Sequence, residues 1–274
     1  MNKFPSIHEL YEASVQDVDN EIKFGCRVYK KHFKQNPQSI REDFCGTAKL
    51  ASKWVEINKN NKALAIDVHK PTIEYAIKHN IQTLAKKQQK NINILCDDVL
   101  TTSVCKVDMI YALNFSFCIF KERLKLLSYF KNVRKGLKKE GVFLLDIYGG
   151  TESITSKCDE AREITGFVSN SGFTVPDFEY IWDQATYNAI NHHTTCHIHF
   201  NIPGIKRYSR AFTYNWRLWT IPEIQEIMDE AGFKKSEVYL HDFNDHGESD
   251  EKYCLRKNYP NVEGWIAYIA GINS

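Results

Sequence analysis

The chain has 274 residues, 43% hydrophobic and 26% charged, with a formal net charge of +2 at pH 7. This is the composition of a globular protein long enough for one large α/β core with an elaboration, and it excludes collagenous, low-complexity and disordered chains. The longest nearly apolar run, residues 111–120, carries Asn114 and Ser116 and is too short to span a bilayer. No apolar segment of a secretory signal opens the chain, so a cytoplasmic protein without a membrane partner is expected. The eight cysteines form no C-x-x-C pair and fit small core side chains in a reducing compartment. Basic residues prevail before residue 150 and acidic ones after it, but clusters such as Lys86-Lys87 and residues 135–139 fall on helix-like stretches. They read as solvated faces, so a nucleic-acid partner is not expected. Nothing in the sequence sets an oligomeric state.

From residue 38 the chain alternates strand-like and helix-like stretches. Residues 39–43 read as a strand, 48–57 as a helix, 63–67 as a strand, and 71–87 as a helix with Pro71 in its first turn. Strands at 91–96 and 107–113, a helix at 121–137, a turn at 138–141 and a fifth strand at 142–147 follow. Such alternation predicts a doubly wound parallel sheet with right-handed crossovers. After Gly149-Gly150, residues 176–219 are rich in Thr, Tyr, Ile, His and Trp, with turn signals at 188–191 and at Pro203-Gly204, and read as three antiparallel strands. A helix at 222–231 is stopped by Gly232, and strands at 236–242 and 264–270 close the chain. The expected fold class is α/β, a doubly wound, mostly parallel seven-stranded sheet with an antiparallel β insertion after strand five. Its expected segments are an N-terminal helical piece (1–37), a cofactor-binding core (38–150), a substrate lid (151–220) and a C-terminal completion of the sheet (221–274).

The stretch S-I-R-E-D-F-C-G-T-A-K-L, residues 39–50, carries the most chemistry. Glu42 and Asp43 end the strand, and Cys45, Gly46, Thr47 and Ala48 are small enough for a ligand to lie against the backbone. Ligands of open α/β sheets bind just past the strand ends. Asp67 ends the second strand at the place and distance of a ribose-hydroxyl acceptor. Asp97-Asp98 follow the third strand, where an adenine edge is read, and Leu113-Asn114-Phe115-Ser116 follow the fourth. Polar groups at successive strand ends point to a nucleoside-like cofactor. A dinucleotide needs G-x-G-x-x-G to admit its pyrophosphate; this turn has one glycine and neighbouring carboxylates, which repel a pyrophosphate but suit the ammonium and sulfonium of S-adenosylmethionine. A nicotinamide dehydrogenase is disfavoured on the same ground.

Residues 40–150 resemble the class I S-adenosylmethionine-dependent methyltransferases. F-C-G-T-A is similar to that family's G-C-G-T-G, and L-K-K-E-G-V-F-L-L-D to its L-x-x-G-G-x-x-x-x-D strand. The resemblance implies a Rossmann-like fold with Glu42 as the motif acid and Cys45, Gly46, Thr47 and Ala48 along the cofactor. It also implies Asp67 and Val68 at the ribose side and Asp98 and Val99 at the adenine side. Phe44 and Ala48 depart from two glycines of the motif, and Phe44 is expected to point away from the cofactor or pack beneath it. Within the family the chain is most similar to the glycine N-methyltransferase-like branch. E-L-Y-E-A-S-V-Q-D resembles that branch's leading segment, which closes over the cofactor and makes Tyr11 a contact. A-L-N-F-S-F resembles its strand-four loop, giving Leu113 and Asn114, and F-T-Y-N-W-R-L-W-T-I-P-E-I its sheet after strand five. That branch grips an amino-acid carboxylate with an arginine just after strand five, where this chain has Tyr148, so glycine is not the expected substrate. Arg217, between Trp216 and Trp219, is either a replacement cation or an arginine packed on aromatics.

The expected activity is methyl transfer from S-adenosylmethionine to a nitrogen or oxygen of a small molecule, with Tyr11, Asn114, Tyr148 and Arg217 around the acceptor. A protein or RNA acceptor is the variant within the same enzyme class. A non-catalytic S-adenosylmethionine-binding sensor or partner protein is the reading from another class, supported by Phe44. His193, His197 and His199 share one face of a strand, with His192 and Cys196 on the other. A closed metal site takes about four ligands, and no second ligand pair has the spacing, so these read as lid-surface histidines with no metal; one of them lining the substrate pocket could serve as a general base. His241 and His246 read as loop residues.

Overall fold

The computed structural model describes residues 4–102, 105–242 and 252–274. The chain opens with helices α1 (Ile7–Ser14) and α2 (Val18–Phe33), then runs β1 (Ser39–Asp43), α3 (Lys49–Ile57), β2 (Lys62–Asp67), α4 (Lys70–Ala76), α5 (Lys86–Gln89), β3 (Ile92–Cys96), β4 (Val107–Ala112), α6 (Arg123–Gly136) and β5 (Leu137–Gly149). Six strands follow, β6 (Cys158–Ile164), β7 (Phe167–Val168), β8 (Thr174–Val175), β9 (Phe178–Tyr187), β10 (His193–Ile202) and β11 (Lys206–Arg217). Helix α7 (Ile221–Ala231) and strands β12 (Lys235–Leu240), β13 (Cys254–Leu255) and β14 (Trp265–Asn273) complete the chain. Two compact units result: a core unit of Asp17–Gly149 with Trp219–Ser274, and a β unit of Met1–Gln16 with Gly150–Leu218.

The core unit holds one sheet in the order β13-β12-β14-β5-β4-β1-β2-β3. Strands β3, β2, β1, β4 and β5 run parallel, and β14 lies antiparallel between β5 and β12. This is the expected doubly wound, mostly parallel α/β architecture, with the two-residue β13 as an eighth, edge strand. Central β4, V-D-M-I-Y-A, is buried along its whole length, as a parallel strand covered on both faces must be. Leu50, Ala51 and Trp54 of α3 and Ile22, Phe24 and Val28 of α2 pack with Ile40, Met109 and Leu144 of the sheet.

Two elements differ from the periodicity. The helix expected over 71–87 leaves α-geometry at Ala76 for a π-helical turn, Ile77–Ile81. There the buried Asn80 donates its amide to the Thr47 carbonyl at 2.9 Å, a long-range bond that apolar spacing does not encode. β5 starts at Leu137 rather than at 142, and its pairing with β4 shifts register between Val107 and Met109. A Cβ on Gly141 would lie 2.9 Å from the Lys138 carbonyl and 3.0 Å from the Leu137 Cβ, so the backbone folds back over 138–141 inside this strand, as the turn reading expected.

The β unit is a four-stranded antiparallel sheet, β11-β10-β9-β6, with the short pair β7-β8. β6 is a fourth strand beyond the three expected. Phe178, Tyr180, Ile198, Phe200 and Ile202 pack on one face with Val175 and with Leu10 of α1. A Ser6–Glu9 capping box starts α1. Tyr208 Oη donates to the Pro5 carbonyl at 2.6 Å, and Arg162 donates to the Ser14 carbonyl, so α1 is tied to this sheet at both ends. Among the described residues no helix is long and apolar enough to cross a membrane. The eight cysteines are free.

Candidate functional site

The turn after β1 has an alternating backbone. Phe44, Gly46 and Ala48 have φ of 55°, 50° and 54°, all in the left-handed region, although only one of them is glycine. Non-glycine residues adopt this region at a cost of about 1–2 kcal/mol each. Phe44 and Ala48 therefore take up a backbone conformation that favours glycine. Phe44 turns into an aromatic cluster, its ring 5.4 Å from that of Tyr129 and 5.9 Å from that of Phe120. Ala48, fully buried, leads into α3. A Cβ on Gly46 would meet nothing within 4 Å, so the turn is open there. Cys45 N donates to the Ile66 carbonyl at 2.9 Å and joins the turn to β2.

Acidic side chains fix the neighbouring strand ends. Asp67 accepts the Gly46 N–H on Oδ2 at 2.9 Å and the His69 N–H on Oδ1 at 2.8 Å. Val68 beside it is 67% exposed, an apolar surface next to the carboxylate. Asp98 accepts the Leu100 N–H at 2.9 Å, and Val99 is buried. Glu42 accepts the Ala51 N–H at 2.8 Å and satisfies the opening turn of α3. Asp43 belongs to the interior: it accepts Arg41 Nη2 and Tyr129 Oη, each at 2.8 Å. After β4, Asn114 and Phe115 both have positive φ, and both N–H groups donate to Asp146 at 2.9 Å. Leu113 is buried, and the Tyr148 ring lies 4.7 Å from that of Phe115.

Two acids not assigned a role from the sequence join these residues. Asp146 is buried, and burial pushes its carboxyl up to about 7 despite the two N–H donors, which act to lower it. Glu21 of α2 is also buried, and burial, with Asp146 and Glu42 nearby, raises its carboxyl well above the usual range. No hydrogen bond or ion pair engages the Glu21 carboxyl among the described residues. Burial, then Glu42 and Asp67, push the Cys45 thiol well up. Buried carboxyls gathered in this way are destabilised as anions until a cation arrives. Asp146 closes the quoted L-K-K-E-G-V-F-L-L-D motif and was legible as a strand-end acid; Glu21 reads as an ordinary helix acid.

The core unit thus gathers Glu42, Cys45, Gly46, Thr47, Ala48, Asp67, Val68, Asp98, Val99, Leu113, Asn114 and Tyr148 at or just beyond the C-terminal ends of β1–β5. Tyr11 and Arg217 belong to the β unit. The Tyr11 ring lies 5.0 Å from that of Phe212, and its hydroxyl hydrogen-bonds Tyr214. Arg217 ends β11 opposite His193. Trp216 stacks on Tyr214 at 4.4 Å, whereas Trp219 lies in the core unit and donates to the Phe120 carbonyl at 3.2 Å.

The histidines correct the sequence reading. His197 is no surface residue: it is 5% exposed, with Nδ1 3.0 Å from Asp183 Oδ2. His199 places Nε2 3.5 Å from the same oxygen. Asp183 does not stand out in the sequence because its proximity to the histidines arises from strand pairing. His241 is likewise buried, its ring 5.1 Å from that of Tyr253. His246 lies outside the described residues.

No protein-family model matches the chain, and no curated protein matches it by sequence. Solved structures do match over nearly its full length. An S-adenosylmethionine-dependent methyltransferase from Clostridium acetobutylicum superposes with a TM-score of 0.65 at 18% identity, covering 98% of each chain. The fold is that of the S-adenosylmethionine-dependent methyltransferases. CalS10, an amino pentose methyltransferase from Micromonospora echinaspora with bound S-adenosylmethionine, has the same fold, with a TM-score of 0.65 at 10% identity and 98% coverage of both chains. The sugar N-methyltransferase KedS8 from Streptoalloteichus sp matches with a TM-score of 0.62 at 13% identity, over 96% of this chain and 93% of its own.

Proposed function

We propose that the chain is an S-adenosylmethionine-dependent methyltransferase that acts on a nitrogen or oxygen of a small molecule. The observation that carries this reading is the group of buried carboxyls, Glu21, Glu42 and Asp146, beside a small-residue turn. A pyrophosphate cofactor would meet repulsion there; a sulfonium with an ammonium group meets the charge that the site lacks. Asp67 would hold the ribose hydroxyls, and Val68, Asp98 and Val99 would line the adenine. Glu21, Glu42 and Asp146 would face the cationic methionine end, with Gly46 letting the cofactor approach the backbone and Leu113 and Asn114 completing the wall.

The bound cofactor supplies a methyl group already activated by positive sulfur. The chain's own work is to hold the acceptor lone pair in line and to exclude water. Tyr11, Asn114, Tyr148 and Arg217 are the proposed acceptor contacts. Among the structural neighbours, a sugar N-methyltransferase, an amino pentose methyltransferase and a glycopeptide N-methyltransferase favour an amine nitrogen on a small molecule. Kinship with the glycine N-methyltransferase-like branch is retained for the leading segment, residues 1–37, and the insertion, residues 151–220, read as the closing piece and the substrate lid. Tyr148 in place of an arginine speaks against glycine itself. Phe44 is the sequence support for a sensor without catalysis; its ring packed against those of Tyr129 and Phe120 favours the catalytic reading. The test is turnover of labelled S-adenosylmethionine with a panel of small amines and alcohols, with alanine at Tyr11, Asn114, Tyr148 and Arg217. Undiminished turnover in all four variants would remove these acceptor contacts, and absence of turnover with any acceptor would favour the sensor.

A further inference from the structure

We propose that Asp183, His197 and His199 form a binding site for one divalent first-row transition ion, with Zn2+ as the probe, on the four-stranded sheet of the β unit. The proposal is independent of the methyltransferase reading. Asp183 and His197 are directly opposed across the β9–β10 pair, and His199 is the next residue along β10 on the same face. Cys196, Ile198 and Phe200 alternate with them and turn to the opposite, apolar face. One donor atom from each of the three lies within 4.8 Å of the others. Three ligands about 2.0–2.2 Å from one ion are roughly 3–3.5 Å apart, so small side-chain shifts close the site. Two imidazoles and one carboxylate are borderline donors suited to Zn2+, Co2+, Ni2+ or Cu2+ rather than Ca2+ or Mg2+, and water fills the remaining positions.

The same three side chains also cluster around Asp183 Oδ2, His197 by a hydrogen bond of 3.0 Å and His199 at 3.5 Å, and one backbone bond distinguishes the two states. Arg210 N donates to His199 Nδ1 at 3.1 Å, which places the proton of the neutral ring on Nε2, pointing at Asp183. A metal on Nε2 needs that proton moved to Nδ1, and Nδ1–H then needs an acceptor. The backbone can supply it. Phe200 pairs with Tyr208 and Ile198 with Phe212, so residues 209–211 bulge opposite His199. Arg210 in that bulge has φ of 49° and is exposed. Turning over the Ser209–Arg210 peptide, a rotation of about 180°, takes the Arg210 φ from 49° to about −130° and presents the Ser209 carbonyl to Nδ1–H. Metal entry thus turns over one peptide of the bulge, with the proton moving between the two nitrogens of the ring.

The test uses the full chain, freed of metal by chelation, titrated with Zn2+ by calorimetry and with Co2+ by absorption spectroscopy. One equivalent is expected to bind, with Co2+ d–d bands and no thiolate charge-transfer band. His197→Ala, His199→Ala and Asp183→Asn are each expected to weaken binding by about 10–100-fold, whereas Cys96→Ser and Cys254→Ser leave it unchanged. Zn2+ is expected to raise the Tm of the wild type and not that of Asp183→Asn, whose near-isosteric side chain guards against loss of fold. No stoichiometric binding to the wild type, or wild-type affinity in the His197→Ala, His199→Ala double variant, would overturn the proposal.

Discussion

Asp67 Oδ2 accepts the Gly46 backbone N–H at 2.9 Å, so the acid that ends β2 and the turn that follows β1 are held as one piece. Its other oxygen takes the His69 N–H at 2.8 Å. Asp67→Ala removes the acceptor for two backbone donors as well as the proposed ribose ligand. S-adenosylmethionine affinity is predicted to fall at least tenfold and stability by about 1–2 kcal/mol. Calorimetric titration and urea unfolding separate the two; lost stability with unchanged affinity would make Asp67 a structural residue only.

The alternating left-handed positions of the turn give opposite predictions for two substitutions. Ala48 has φ of 54°, and Ala48→Gly is predicted to relieve strain and change stability by less than about 1 kcal/mol, because glycine's greater unfolded-state entropy offsets the gain. Gly46→Val keeps open space around the side chain but puts a β-branched residue at φ of 50°, and is predicted to destabilise by about 1–2 kcal/mol and to weaken cofactor binding. Equal stability of Gly46→Val and wild type in denaturant unfolding would contradict the backbone argument.

Asp146 is predicted to make S-adenosylmethionine binding depend on pH. Its folded carboxyl is pushed up to about 7, whereas in the unfolded chain it ionises near the ordinary value of about 4. Between these values the folded state holds more protons than the unfolded one, so the stability of the cofactor-free protein falls as pH rises through that window. A cationic ligand favours the ionised carboxyl and expels its proton. S-adenosylmethionine is therefore predicted to bind more tightly at pH 8 than at pH 6, by up to about tenfold per linked proton per pH unit below 7. Titration in buffers of different ionisation enthalpy counts the released protons, and Asp146→Asn is predicted to flatten the profile. A flat wild-type profile would remove Asp146 from the cationic site.

Arg41, Asp43 and Tyr129 form a buried network beneath the same strand end. Arg41→Met leaves the Asp43 charge without its cation and is predicted to cost about 3–5 kcal/mol, whereas Tyr129→Phe removes one hydrogen bond for about 1–2 kcal/mol. Both are read by denaturant unfolding; a cost for Arg41→Met below that for Tyr129→Phe would contradict the assignment of the charge.

The parallel core was legible because its strands are short apolar runs ended by acids, and residues 39–43 are the observed β1. The turn residues and Asp67 could be read as candidates from their place after strand-like runs, although the Asp67–Gly46 bond itself spans 21 positions. Glu21 could not, since a helix acid becomes a site residue only when α2 packs near Asp146 and Glu42. The π-helical turn escaped notice because the Asn80 amide bonds to a carbonyl 33 positions away. The histidines were misread for the same reason: Asp183 and His197 meet only through the register of β9 against β10.

The most direct test of the central claim is titration of the wild-type chain with S-adenosylmethionine, with S-adenosylhomocysteine and with NAD. The account predicts that the first two bind at one equivalent with micromolar affinity and that NAD does not bind. Binding of NAD with no binding of either sulfur compound would contradict it.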